Sequence, residues 1–75
     1  MIATVEDLTK IFSRAFGQDV IINATSKRSD IELWDSINKL NLVVELEDFY
    51  KVSFSQQEIE EMNSVQYIIE TLAKK

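Results

Sequence analysis

The chain has 75 residues, with 8 basic and 13 acidic side chains, and it contains no histidine, cysteine or proline. Without cysteine it forms no disulfide and no thiolate metal site. Without histidine it lacks the usual general base and the commonest metal ligand, so we expect no catalytic residues and no metal site. The net charge of −5 is the wrong sign for binding nucleic-acid phosphates, and nucleic acid is set aside as a partner.

The length and the hydropathy pattern predict one small domain. A domain takes about 100–200 residues, so residues 1–75 leave room for no second one. No apolar run approaches the roughly 20 residues of a membrane span, and no basic segment followed by an apolar stretch opens the chain. We therefore expect a monomeric, cytoplasmic protein with no membrane span.

The first helix is predicted from about Thr4 to Phe16. Thr4 suits the N-cap, and Gly17 suits the left-handed residue that ends a helix. Apolar side chains recur at helical spacing between them, namely Val5, Leu8, Ile11, Phe12 and Ala15. From Gly17 to Trp34 no period is sustained, and we predict a long loop held by apolar anchors.

The second helix is predicted from Asp35 or Ser36 to about Lys51, with Asp35 as its N-cap. Its core-facing stripe is read as Leu42, Val43, Leu46, Phe49 and Tyr50. Two shorter helices follow, at Gln56–Glu61 and Ser64–Ala73. Ser55 and Glu58 form a capping-box pattern before the shorter one. The chain is therefore predicted to be all-α, a four-helix bundle with a long first loop and a short third helix.

Two features of the second helix admit more than one interpretation. Ser36 places a hydroxyl in the first turn after a long polar loop, which by itself is an ordinary position for a serine. Beyond the core stripe, Ile37, Leu40 and Val44 form a second apolar stripe on another face. Either the helix is buried on both faces, or this stripe is exposed and contacts a partner.

The negative charge is concentrated in the middle of the chain. Residues 35–61 carry seven acidic and two basic side chains, a net charge of −5, while the two flanking segments nearly balance. A solvated acidic face is one interpretation. The other is a docking surface for basic partners, because acidic side chains here lie beside the apolar stripe.

From Trp34 to Leu72 the sequence resembles the acyl carrier proteins. That family has an Asp-Ser-Leu signature at the start of its second helix, matched here by Asp35-Ser36-Ile37. An apolar and acidic helix follows, here Leu-Val-Val-Glu-Leu-Glu-Asp-Phe-Tyr over residues 42–50. The fourth helix of the family opens like Ser-Val-Gln-Tyr-Ile-Ile at residues 64–69. The resemblance implies a four-helix bundle of the acyl-carrier type.

The resemblance also implies roles for particular residues. Ser36 would carry a 4′-phosphopantetheine arm derived from coenzyme A, attached by a phosphopantetheinyl transferase, and the arm would hold acyl groups as thioesters. Asp35 would cap the helix and be recognised by the transferase. The docking surface for acyl ligases, synthases and transferases with basic surfaces would comprise Ile37, Leu40, Val44, Glu45, Glu47, Asp48, Glu58, Glu60 and Glu61. The family's acyl pocket would be lined by Leu46, Phe54, Ile59, Met62 and Ile68, whose alternative role is ordinary core packing.

The sequence departs from carriers of fatty-acid synthesis at several positions. Lys39 would lower the negative potential near the attachment site. Trp34 before Asp-Ser is more similar to carriers dedicated to one lipid, polysaccharide or secondary-metabolite pathway. Two alternatives stay open: an aminoacyl or peptidyl carrier, and a helical interaction module without a cofactor.

Overall fold

Four α-helices form the fold, and no β-strand is present. The computed structural model describes residues 1–75, with α1 at Val5–Phe16, α2 at Ser36–Tyr50, α3 at Gln56–Glu60 and α4 at Val65–Ala73. The predicted all-α bundle, with a long first loop and a short third helix, is confirmed. No helix bound differs from the predicted one by more than one residue, and where a bound differs the flanking residue is a cap.

Side-chain caps fix where the helices begin, as the sequence predicted. Thr4 Oγ1 accepts the amide of Asp7 at 3.1 Å, and Asp35 Oδ1 accepts the amide of Asn38 at 2.7 Å. Such caps satisfy amides that have no acceptor inside the helix, and each contributes about 1 kcal/mol. Gly17 ends α1 at φ 73°, in the left-handed region that glycine occupies without strain.

A single cluster of 16 buried apolar residues fills the space between the helices. Trp34 is its largest fully buried side chain, and its ring meets the ring of Phe12 edge-on with 5.0 Å between the centroids. Burying an aromatic side chain of this size contributes several kcal/mol. The last residues of the long loop are therefore anchored immediately before α2 begins.

The long loop is held by contacts with α1 and with the segment that leads into α4. Val20 and Ile22 are buried, as predicted for apolar anchors, while Ile21 between them is exposed. Ser13 of α1 holds the first anchor, because its Oγ accepts the amide of Val20 at 3.0 Å. The loop also contains a 3₁₀ turn at Arg28–Asp30 that no pattern in the sequence predicted.

The loop pairs with the segment that leads into α4. Lys27 and Ser64 form an isolated antiparallel bridge, flanked by hydrogen bonds of 3.0 Å from the Val65 amide to Ser26 O and of 2.8 Å from the Arg28 amide to Asn63 O. This pairing places Arg28 beside the start of α2. A contact between residues so far apart in sequence leaves no local pattern.

Phe49 of α2 lies on a face other than the one expected, and Lys39 of the same helix is buried. Phe49 was assigned to the core stripe, but it is 51% exposed. Its ring sits at the rim of the α1–α2 contact, where Lys10, Ile11 and Arg14 are the neighbouring α1 side chains. Lys39 is only 8% exposed, because it lies on the same face as the buried Leu42 and Leu46.

Glu58 should stabilise the protein in a pH-dependent manner. Its carboxylate accepts the Ser55 amide at 2.8 Å and the Lys75 ammonium at 3.2 Å, and these contacts lower its pKa below the usual 4.5. A depressed carboxyl pKa stabilises the fold above the unfolded-state pKa, and this contribution is lost as the pH falls through the folded-state pKa. We expect Glu58→Ala to lower the free energy of unfolding by about 1 kcal/mol near pH 7 and by much less near pH 3.

Urea unfolding at both pH values measures this difference. Glu60→Ala is the matched control, because Glu60 lies on the same helix and its carboxylate makes no hydrogen bond or ion pair. A Glu58→Ala deficit that is equal at both pH values would contradict the assignment.

Candidate functional site

Ser36 is exposed at the first residue of α2. Asp35 caps the helix. Its carboxylate accepts a hydrogen bond from the Asn38 amide, and its backbone carbonyl accepts one from the Lys39 amide. The amides of Ser36 and Ile37 have no acceptor in the protein. The hydroxyl therefore lies where free N–H groups and the positive end of the helix dipole favour an anion.

Arg28 reaches Ser36 from the 3₁₀ turn of the loop. Its Nη2 donates to Ser36 Oγ at 3.3 Å, its Nε donates to the carbonyl of Trp34 at 2.9 Å, and its Nη1 donates to Asn63 Oδ1 at 3.2 Å. One guanidinium thus joins the loop, the start of α2 and the segment before α4. Arg28 was not singled out from the sequence, because nothing in the local pattern ties it to Ser36.

Lys39 places a second positive charge near the start of α2, on the core side of the helix. Its Nζ donates to Glu60 O at 2.9 Å and to Asn63 Oδ1 at 3.2 Å, so Lys39 and Arg28 share one amide oxygen. Burial lowers the pKa of Lys39, the positive charge of Arg28 lowers it further, and Glu60 partly opposes both. Lys39, predicted to lower the negative potential near the start of α2, lies inside the fold.

A broad surface cleft adjoins this cation pair. Its volume is about 590 Å³, and Arg28, Trp34, Asp35 and Asn63 are among the residues that line it. Asp35 forms the side of the cleft next to Ser36.

The second apolar stripe of α2 is exposed. Ile37 is 73%, Leu40 58% and Val44 61% exposed, on the face opposite the buried Leu42 and Leu46. Burial of both helix faces is therefore wrong for this chain. Exposed apolar side chains clustered on one helix face are typical of a contact surface.

The acidic residues assigned to docking differ in whether their carboxylates already bind other groups of the protein. Glu45 pairs with Arg14 at 3.2 Å, and Asp48 pairs with Lys51 at 3.5 Å. Glu47 Oε2 accepts the amide of Phe54 at 2.9 Å, so this carboxylate also holds the turn after α2.

The α3 side of this acidic surface is also partly paired. Glu58 contacts Lys75, and Glu61 accepts the Tyr67 hydroxyl at 3.2 Å. Only the Glu60 carboxylate makes no hydrogen bond or ion pair, and its charge acts on Lys39 at longer range. The surface is acidic, but part of its charge is neutralised by the chain's own cations.

The five residues predicted to line an acyl pocket lie in or against the core. Four are buried and Ile59 is packed against them, and the set is Leu46, Phe54, Ile59, Met62 and Ile68. Neither of the two cavities in the structure is lined by any of them. Their observed role is packing, and a pocket among them stays a prediction.

The structure has no group of three or more acidic, histidine or cysteine side chains arranged to hold a metal ion. None of its helices has the length and apolar character needed to cross a bilayer.

The fold matches that of a known carrier. No protein-family model and no curated protein matches the chain. Among solved structures it is similar to the holo acyl carrier protein from Geobacter metallireducens, determined by solution NMR. The two share 33% sequence identity and a TM-score of 0.83, over 96% of this chain and 84% of that one. This chain belongs to the acyl carrier protein family.

Asn63 should contribute to stability through the two cations that share its side-chain oxygen. Asn63→Ala removes that acceptor from both Arg28 and Lys39, and we expect the free energy of unfolding to fall by about 1 kcal/mol. Asn41→Ala is the matched control, because Asn41 is an exposed amide on α2 that bonds only to Asn38. Its expected change is within about 0.5 kcal/mol. Equal stabilities of the two variants, measured by urea unfolding, would show that the shared oxygen contributes nothing.

Proposed function

We propose that this protein carries acyl groups as thioesters on a 4′-phosphopantetheine arm attached to Ser36, and passes them between enzymes. The observation that carries the proposal is the exposed hydroxyl of Ser36 at the start of α2, at the signature position of the family to which the chain belongs. The similar protein from Geobacter metallireducens is a holo form. The protein itself would be a carrier and not a catalyst.

The residues around Ser36 fit a phosphodiester. The free amides of Ser36 and Ile37 and the guanidinium of Arg28 present N–H donors to an anion at this position. When bound, the arm supplies a terminal thiol, which the chain lacks because it has no cysteine. Asp35 would remain free to contact the transferase with the carboxylate oxygen that does not cap the helix.

The outer face of α2 would be the surface that partner enzymes bind. Ile37, Leu40 and Val44 supply exposed apolar contacts next to Ser36. The six acidic residues around them would attract basic enzyme surfaces at long range, and they are Glu45, Glu47, Asp48, Glu58, Glu60 and Glu61. Because much of their charge is already paired, we expect weak, fast and salt-sensitive association, which suits a carrier that must dissociate after each transfer.

The partners would be a phosphopantetheinyl transferase and acyl ligases, synthases or transferases. Trp34 before Asp-Ser favours a pathway-dedicated carrier over one of general fatty-acid synthesis. We further propose that residues 1–75 form one carrier domain working in the cytoplasm. A carried acyl chain would require Leu46, Met62 and their neighbours to move apart, because they are close-packed in this structure.

Loading of Ser36 tests the attachment site. Incubation with coenzyme A, Mg²⁺ and a broad-specificity transferase should add one phosphopantetheine to the intact mass, and Ser36→Ala should add none. Ser29→Ala is the matched control, since Ser29 is another exposed serine in the adjoining cleft, and it should load like the wild type. No mass change in the wild type with a transferase that loads another carrier would reject the proposal.

Charge reversal at Asp48 tests the docking surface. Asp48 is exposed one turn beyond Val44, and its carboxylate holds no backbone amide, unlike that of Glu47. We expect Asp48→Lys to slow loading by roughly threefold or more at low salt, where charges act over about 30 Å, and by much less near 1 M salt, where they act over about 3 Å.

Glu70→Lys makes the same charge change on α4 and should alter the loading rate much less. Its side chain contacts only Gln66. Equal slowing by both variants, or slowing of Asp48→Lys that does not depend on salt, would count against docking through the outer face of α2.

A further inference from the structure

We infer that Arg28 binds the phosphodiester of an arm on Ser36, with Asn63 and the Trp34 carbonyl holding its guanidinium in place. The inference rests on the proposed attachment at Ser36. It assigns a specific phosphate contact to a loop residue that lies eight positions before the serine and outside α2.

The hydrogen bonds of Arg28 occupy only some of its N–H donors. An arginine has five N–H donors, and Arg28 uses one each toward Trp34 O, Asn63 Oδ1 and Ser36 Oγ. The contact with Ser36 is the longest of the three, at 3.3 Å, and its acceptor is a neutral hydroxyl. Two donors therefore remain for oxygens added at Ser36, and an anionic acceptor strengthens such bonds about twofold.

Arg28 also has no carboxylate partner. The chain has 13 acidic side chains, and three ion pairs form elsewhere, but none involves this guanidinium. Its three acceptors are a carbonyl, an amide and a hydroxyl, all of them neutral. Arg28 is half-buried, has no counter-ion and lies beside a hydroxyl. It is therefore well placed to bind an anion attached to that hydroxyl.

The guanidinium is fixed independently of α2. The backbone amide of Arg28 donates to Asn63 O at 2.8 Å, and the neighbouring Lys27 pairs with Ser64. The side chain then returns to Asn63 through Nη1 at 3.2 Å. Binding a phosphate would consequently require little further ordering of the arginine.

Lys39 makes a negative charge on Ser36 more favourable. It shares Asn63 Oδ1 with Arg28, and the two cations repel each other, which contributes to the lowered pKa of Lys39. A phosphodiester on Ser36 adds a negative charge next to this pair and offsets the repulsion. Asp35 opposes the added charge, but its carboxylate is engaged by the Asn38 amide.

The inference predicts that loading stabilises the protein and that the gain depends on Arg28. We expect loaded wild-type protein to melt on the order of 4–8 °C above the unloaded form at low salt. In Arg28→Gln this difference should be at least halved, and in Arg28→Lys it should be intermediate, because lysine keeps the charge without the fork of donors. Comparing loaded with unloaded forms of each variant cancels any effect of the substitution on the unloaded fold.

Lys27→Gln is the matched control for charge. Lys27 neighbours Arg28 and lines the same cleft, but its ammonium makes no hydrogen bond or ion pair, so the full wild-type gain should remain.

As an independent readout, the ¹H–¹⁵N signals of the Arg28 guanidinium should shift on loading of the wild type, and the ³¹P signal of the loaded protein should differ between wild type and Arg28→Gln.

The outcomes separate the two proposals. If the wild type takes up no phosphopantetheine, attachment at Ser36 fails. If it loads but its stability gain and its ³¹P signal are the same in Arg28→Gln, attachment stands and the role of Arg28 is wrong. If Arg28→Gln is too unstable to melt cooperatively, an unshifted guanidinium signal in the loaded wild type would equally show that the role of Arg28 is wrong.

Discussion

The position of Ser36 depends on how Trp34 is buried. The indole lies in the core against Phe12, while the carbonyl of the same residue accepts Arg28 Nε at 2.9 Å. Two residues later the chain emerges as the first turn of α2. Because Trp34 is held by the burial of its ring and by the hydrogen bond to its carbonyl, the chain enters α2 at a defined place, with Ser36 exposed at the surface.

The charges of the molecule are arranged differently at the start of α2 and along the rest of α2 and α3. Arg28 and Lys39 concentrate positive charge at the start of α2, in a chain whose net charge is −5. The acidic residues follow farther along α2 and on α3. A phosphodiester would thus meet local cations, and partner enzymes would meet carboxylates beside Ile37 and Val44. The lysine and arginine partners of those carboxylates limit the attraction, as a carrier that must release its partners requires.

The helices and their caps were predictable because they depend on neighbouring residues. The capping residues, the glycine that ends α1 and the apolar stripe of that helix are all local patterns. The exposed stripe of α2 was recognisable as a second face, but its exposure was not, since that depends on which helices pack where. Arg28 was missed because its place follows from the pairing of Lys27 with Ser64, which brings together distant parts of the chain.

Two residues of α2 show how the packing of a helix departs from its sequence period and its residue types. Phe49 was placed in the core by its period, yet it is 51% exposed at the rim of the α1–α2 contact, where Lys10 and Arg14 lie beside Ile11. Lys39 is buried although it is charged, because its aliphatic stem lies on the core face and its ammonium reaches Glu60 O and Asn63. A long amphipathic side chain can bury its stem and still satisfy its charged end.

The central claim is that the Ser36 hydroxyl carries the arm in the living cell. Trypsin cleaves after Arg28 and Lys39, and the peptide of residues 29–39 then contains the site. In protein isolated from its native cells, tandem mass spectrometry of this peptide should locate a phosphopantetheine on Ser36, with an acyl thioester on part of the population. Recovery of the peptide only in unmodified form, from cells whose other carriers are loaded, would contradict the account.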